Sequence, residues 1–196
     1  MPVKAGIVEP TGTYFITFTC TNWLSLFELT DSYDAVYNWF DTLVEKGHYI
    51  SGYVIMPNHV HTLISFRNTG QSINTIGGNG KRFMSYEIVK RLKIKGETQL
   101  LAKLGLFVTL KDKLKNKKHE VWESSFDWKL CLTNEFMEQK LKYIHENPCR
   151  GKWHLSNTPE EYEHSSAKYY ICGVQGVYPV TNYKALADID FGELQV

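Results

Sequence analysis

Two periods alternate along this chain. From Thr13 to Cys20 it reads TYFITFTC, which puts Tyr14, Ile16, Phe18 and Cys20 on one side of a two-residue repeat rich in β-branched and aromatic residues, the mark of a strand. Thr30 and Asp31 then lead into SYDAVYNWFDTLVEK, where Val36, Phe40, Leu43 and Val44 recur at helical spacing until Gly47 stops the pattern. Residues 49–56, YISGYVIM, and 59–66, HVHTLISF, are two further strand-like runs, and with Pro57 and Asn58 alone between them they predict a hairpin. Residues 71–95 start loosely at QSINTIGGNG and become helical through KRFMSYEIVKRLK. A Lys- and Leu-rich stretch at 97–118 interrupts the order and reads as an insertion. The run VWESSFDWKLCL, 121–132, predicts a fourth strand, and Asn134 is the expected cap of a helix, EFMEQKLKYIHEN, that Pro148 ends. From Trp153 to Val196 the periodicity weakens and no element is assigned.

Strand, helix, hairpin, helix, strand, helix is the order of an α+β protein. It predicts a ferredoxin-like β-α-β-β-α-β sandwich with an antiparallel sheet and an additional C-terminal helix, in one domain spanning residues 1–196. In that architecture the two crossover helices cover one face of the sheet and leave the other available for a site.

Composition narrows the class without naming a function. An apolar fraction of 43% and a charged fraction of 22% over 196 residues are those of a globular domain with a proper core. No apolar run is long enough to span a bilayer, and MPVKAGIVEPTG lacks the build of a secretory signal, so a cytoplasmic location is expected. Cys20, Cys131, Cys149 and Cys172 are scattered without a C-x-x-C pair, which argues against a zinc cage. The net charge of +1 conceals an asymmetry: residues 81–118 hold 12 Lys and Arg against 3 Asp and Glu, while the rest holds 10 against 18. One basic block on an acidic remainder suits a polyanion, although a solvated helix face followed by a lysine-rich loop would give the same count. GGNGK at 77–81 lacks the spacing of a phosphate loop, since position 75 is threonine.

The chemistry gathers in GYVIMPNHVHTLISF, where two histidines interrupt an apolar strand as His-x-His. Side chains at i and i+2 share a face, so His59 and His61 should point with Leu63 and Ser65, away from Val60, Ile64 and Phe66. The more apolar set should meet the helices, which leaves the histidines looking out from the open face. Two neighbouring imidazoles on a rigid strand can ligate a divalent ion, and an isolated His-x-His can equally be a hydrogen-bonded surface pair. On the last helix Tyr143 and Asn147 share a face, with Tyr143 about a third of a turn from the stripe of Met137, Leu141 and Ile144. Periodicity alone leaves Tyr143 an amphipathic interface residue.

The segment YVIMPNHVHTLI, the aromatic block VWESSFDWKL and the later KYIHENP resemble, in that order, the HUH single-tyrosine transposases, in particular their REP-associated branch. The resemblance covers roughly residues 10 to 170. It implies that His59 and His61 bind Mg²⁺ or Mn²⁺ with Asn147 as a third, polar ligand, and that Tyr143 is the nucleophile. The implied reaction cuts single-stranded DNA near hairpins through a 5′-phosphotyrosine link and leaves a free 3′-OH. Ligation needs neutral imidazoles, so activity is expected to fall below about pH 6. Relatives often carry a basic residue and a histidine in the block aligned with 122–130, whereas ESSFDWK offers Ser124, Ser125 and Trp128. Family members act as monomers or as dimers, and the resemblance leaves a homodimer open here.

For the strand itself, Lys81, Arg82, Lys90, Arg91, Lys93 and Lys95, with Lys111 to Lys118 after them, can follow phosphates. Trp122 and Trp128 can stack on unpaired bases, while Phe126 reads better as a core residue. Two rivals stand beside this reading: a hairpin-binding protein that has lost catalysis, and a metal-dependent hydrolase that uses the histidines without a covalent tyrosine.

Overall fold

A computed structural model of the chain describes residues 7–123, 127–151 and 153–192. Strands β1 (Gly12–Thr19), β2 (Tyr49–Met56), β3 (His59–Phe66) and β4 (Asp127–Leu130) form one antiparallel sheet in the order β2-β3-β1-β4. Between β1 and β2 lie α1 (Leu26–Thr30) and α2 (Asp34–Glu45); between β3 and β4 lie α3 (Ile73–Ile94), α4 (Thr98–Leu106) and α5 (Leu110–Lys113). After β4 come α6 (Asn134–Glu146) and α7 (Ala167–Cys172). Each crossover skips one strand, which is the β-α-β-β-α-β arrangement that the alternation of periods predicts.

The first face of the sheet carries the alternating set expected of it. Tyr14, Ile16 and Phe18 from β1, and Val60, Ile64 and Phe66 from β3, are buried with Trp39 and Phe40 of α2 and Met84, Ile88 and Leu92 of α3. The stripe of α2 is turned slightly from its expected position: Trp39 is buried and Val44 is half exposed. Helix α3 begins at Ile73, so the glycine-rich QSINTIGGNG is helical from its third residue, with the Ser72 side chain capping it. Gly80 explains that composition. A Cβ there would stand 2.5 Å from the Trp39 indole nitrogen, so the absent side chain lets α3 lie against α2.

The second face is covered, and this corrects the open face expected from sequence. Helix α6 lies across it, and Leu141 and Ile144 share a core with Phe15, Val54, Met56, Leu63 and Tyr183. Residues 153–192 then run along β2. The Ile55 amide donates to the His164 carbonyl at 2.8 Å, the Ser166 amide to the Tyr53 carbonyl at 3.0 Å, and the Thr181 amide to the Ile50 carbonyl at 2.9 Å. An edge strand whose backbone is satisfied this way cannot recruit another chain. The segment left unassigned from sequence is thus the cover of one sheet edge, held largely by single hydrogen bonds and tyrosine hydroxyls, an arrangement without a period.

Three boundaries move. The fourth strand is Asp127–Leu130 rather than 121–132; upstream, Trp122 makes one bridge to Cys20, and residues 124–126, with Ser124, Ser125 and Phe126, lie outside the described residues. Thr133, not Asn134, caps α6, its hydroxyl accepting from the Phe136 amide at 3.2 Å. The insertion at 97–118 is ordered into α4 and α5, and Leu104 and Val108 anchor it by burial.

At the end of the sheet away from the β2–β3 turn, His48 is fully enclosed, and its Nδ1 accepts from the Arg67 amide at 3.1 Å. Burial lowers its pKa from 6.5 to about 4. The unfolded chain therefore binds this proton first as pH falls, so the stability tied to neutral His48 is complete above pH 6.5 and is lost progressively toward pH 4. At pH 5 the loss is on the order of 2 kcal/mol at most. Urea unfolding should show a lower midpoint at pH 5 than at pH 7, and His48→Gln should flatten that slope. An equal slope in both proteins would show that folding leaves the His48 pKa where it stands in the unfolded chain.

Candidate functional site

The site is assembled from the strand end of the β2–β3 hairpin and one face of α6. His59 pairs across the sheet with Thr19 and Met56, and His61 with Thr17 and Val54. Both imidazoles lie beneath α6, 5% and 6% exposed, with ring centroids 4.7 Å apart. The alternation placed them on the same face as Leu63, as found, but that face is a core and not an open surface.

Each histidine has a partner on Nδ1. The Asn58 amide Nδ2 donates to the Trp23 carbonyl at 3.0 Å, which turns its Oδ1 toward His59 Nδ1, 2.6 Å away. An amide oxygen only accepts, so His59 Nδ1 carries the proton and Nε2 the lone pair. His61 Nδ1 lies 2.8 Å from the Thr17 hydroxyl. A hydrogen bond on one ring nitrogen that orients the other is the usual support of a metal-binding imidazole. Burial lowers His59 to about 4 and His61 well below its ordinary value, the latter helped by His59 and Lys140. Both rings therefore stay neutral below the ordinary imidazole pKa.

Helix α6 supplies the rest. Leu141 lies over Gly52 of β2, where a Cβ would stand 2.3 Å from its Cδ2. With the helix seated so closely, Lys140, Tyr143 and Asn147, at i, i+3 and i+7, share the flank toward the histidines. The Tyr143 ring meets His61 edge-on at 5.0 Å and Phe15 at 6.0 Å, and the residue remains 46% exposed. Asn147 stands near enough to His59 to offset part of the lowering that burial causes. A cleft of about 150 Å³ opens beside Tyr143, lined by Asn147, Arg150, Gly151 and Trp153.

Of the cations expected to meet a polyanion, the structure brings none of the α3 set to the histidines, because α3 covers the opposite face. Lys81 is largely enclosed, donates to the Glu123 carbonyl at 3.1 Å and is lowered by burial to about 8. Arg91 pairs with Asp34 at 2.6 Å and Glu87 at 2.9 Å, Lys90 with Glu87 at 3.2 Å, and Lys95 with the Leu29 carbonyl at 2.8 Å. Arg82 lies over the Phe83 ring, and Lys93 is exposed. Trp122 is a correction: 5% exposed, its indole donates to the Lys81 carbonyl and the Ser85 hydroxyl, so it offers no face to a base. Trp128 turns to the helix-covered side and meets Tyr14 edge-on at 5.9 Å.

The cations that do stand near the site went unnoticed in the sequence. Lys140 projects over Phe15 at 4.9 Å, Lys129 faces it from β4, and Arg150 borders the cleft in an ion pair with Glu146. Spacing from Tyr143 could have found Lys140, one turn earlier on the helix; nothing local marks Lys129 or Arg150.

As to a metal, among the described residues no three His, Cys, Asp or Glu side chains converge. The donor set is two imidazoles and one amide, which fits a labile ion that takes its remaining ligands from water or a phosphate and does not fit a structural zinc.

Comparison with solved structures agrees with the topology. The chain matches a REP-associated tyrosine transposase bound to a REP hairpin with a TM-score of 0.59 at 13% identity, over 100% of this chain and 99% of that one. The chain has that transposase's fold. A candidate transposase from Deinococcus radiodurans aligns over 75% of this chain and 97% of its own at 17% identity and a TM-score of 0.36, a likeness too slight to bear on the fold. No family model and no curated protein matches.

The seat of α6 can be tested directly. Gly52→Val should destabilise the chain by about 1–3 kcal/mol through overpacking against Leu141. Leu141→Ala in the same chain should recover part of that loss in urea unfolding, since the two sites compete for one space. Additive losses would mean that α6 does not rest on Gly52.

Proposed function

We propose that the chain is a transposase-like enzyme that cuts and rejoins single-stranded DNA near hairpins, with Tyr143 as nucleophile. The observation that carries this reading is the contact of Tyr143 with His61 in one chain, with Asn147 near His59 one helical turn further on. Residues some eighty positions apart converge, and a merely structural tyrosine at this place would be buried in the stripe of α6.

In the proposed reaction Tyr143 Oη attacks the scissile phosphorus as the bond to the 3′ oxygen breaks. A phosphotyrosine link to the 5′ side forms, and the 3′ oxygen leaves as a hydroxyl. The proton lost by the tyrosine and the one gained by the leaving oxygen balance. One phosphodiester replaces another, so the step runs in either direction without an outside energy source. His59 and His61 would hold Mg²⁺ or Mn²⁺ through Nε2, with Asn147 beside them. Bound there, the ion supplies charge neutralisation on the phosphate and polarisation of the P–O bond. Asn58 and Thr17 keep the two rings oriented, and Phe15, stacked on His61 at 5.4 Å, excludes water from its inner side. Lys140 and Arg150 give the approaching phosphate its counter-charge. A hairpin partner is supported by the solved relative's own ligand, a REP hairpin.

The test mixes the protein with hairpin-bearing single-stranded DNAs taken from sequence flanking its gene, plus Mn²⁺, and reads a DNA-linked protein band on a denaturing gel. The band should form with the wild type and vanish in Tyr143→Phe and in His59→Ala. Asn58→Ala should need about 10- to 100-fold more Mn²⁺ for half its adduct yield. Cleavage that survives Tyr143→Phe without a covalent band would make the protein a hydrolase. Hairpin binding without cleavage would make it a binding module.

A further inference from the structure

One aromatic residue at the site belongs neither to the core nor to the constellation described above. Trp23 lies in the turn after β1, 61% exposed, with its indole edge-on to His59 at a centroid distance of 5.8 Å. The backbone there is unusual as well. Asn22 and Trp23 are consecutive non-glycine residues with φ of 49° and 56°, a region that bulky side chains avoid.

The strain is held from several directions. The Asn22 amide donates to Glu123 Oε1 at 2.7 Å, the Trp23 amide donates to the Cys20 carbonyl at 3.0 Å, and the Trp23 carbonyl accepts from Asn58 Nδ2 at 3.0 Å. Asn58 is fully buried and is also the residue that orients His59. One side chain therefore fixes both the ring that faces the phosphate and the backbone that carries the indole. Strain maintained this way beside a reactive centre, on a residue that contributes little to the core, points to a role in binding. The cleft lined by Tyr143, Asn147, Arg150, Gly151 and Trp153 also borders the histidine pair. A strand whose phosphate sits at the histidine pair beside Tyr143 would bring an adjoining base within reach of Trp23.

We propose that Trp23 is the stacking platform for the base adjoining the scissile phosphate on the His59 side, an inference that rests on the reading of His59, His61 and Tyr143 as a strand-cutting centre. Every base has a face to stack, so the contact grips unpaired DNA irrespective of sequence and rejects a paired base that cannot leave its duplex. Trp23 would then be a positioning residue: it sets the register of the strand and leaves the chemistry to Tyr143.

The experiment measures anisotropy of fluorescein-labelled dT15, without added metal and over a series of salt concentrations, for the wild type, Trp23→Ala, Trp23→Phe and Arg150→Ala. The adduct assay with hairpin DNA and Mn²⁺ runs beside it. Trp23→Ala should weaken dT15 binding roughly 5- to 150-fold with an unchanged salt slope. Trp23→Phe should restore most of the affinity, and Arg150→Ala should instead lower the salt slope by about 0.7. Equal affinity of Trp23→Ala and wild type, with adduct still formed, would overturn this inference and leave the strand-cutting reading intact. Equal losses in Trp23→Ala and Trp23→Phe together with a fall in melting temperature would overturn it too, since the indole would then be holding the turn. A wild type that forms no adduct and binds no dT15 would remove the strand-cutting reading, and this inference with it.

Discussion

Helix α6 docks beside the histidines through Leu141 and Ile144, over a position of β2 that has no side chain. Leu141 occupies the space over Gly52, and a methyl group there would overlap its tip. That seat keeps the helix close to the sheet. It brings Tyr143 into edge contact with His61, lets Asn147 reach His59, and hangs Lys140 over Phe15. The burial of Leu141 and Ile144 contributes roughly 1.5–3 kcal/mol for each side chain, enough to hold a helix whose other flank is polar. The tail is tied to the same seat. Ser166 Oγ lies 2.9 Å from His145 Nε2 of α6 and accepts from the Tyr53 amide of β2 at 2.9 Å, so helix, strand and tail share one hydrogen-bonded corner.

Covering the second face changes the electrostatics of the site. On an open face, two adjacent histidines would titrate near their ordinary pKa and repel each other when charged. Under α6 they stay neutral, and each is supplied with one polar partner from its own sheet region: Asn58 from the hairpin turn and Thr17 from the neighbouring strand. Burying a polar ring without such a partner is costly, so the support of the imidazoles is also what makes their burial possible. One ring edge of each is then left for chemistry at the margin where Tyr143 meets solvent.

Much of this was legible in the chain and the rest was not, for identifiable reasons. The alternation in TYFITFTC and in HVHTLISF put Tyr14, Ile16, Phe18, Val60, Ile64 and Phe66 on the face they occupy and Leu63 on the other, because a period of two is rigid. The position of Tyr143 off the apolar stripe was visible from helical spacing. What spacing could not show was that the second face would be covered, since the stripe of α6 says that the helix must dock and not where. The segment 153–192 had no period because it folds against an edge through backbone hydrogen bonds, which any sequence can make. Trp122 misled for a similar reason: an aromatic in a strand-like run looks the same whether its indole meets a base or, as here, the backbone of α3.

Charge was the least informative guide to location. The block of cations between residues 81 and 118 is real as a count, yet on α3 several are committed to Asp34, Glu87 or backbone carbonyls, and α3 lies on the wrong side of the sheet for the histidines. Field strength at a site depends on a few charges within a Debye length and on the dielectric around them. Lys140, Lys129 and Arg150 meet that condition, although they come from three separate segments and form no run in the sequence. Lys140 is moreover lowered by its partly buried position and by Lys129, so the pair stands in mutual repulsion until an anion arrives. An anion entering between them would relieve that repulsion, whereas a neutral ligand would not. The cations beside the histidines are therefore these few, and not the long basic stretch that first suggested a polyanion.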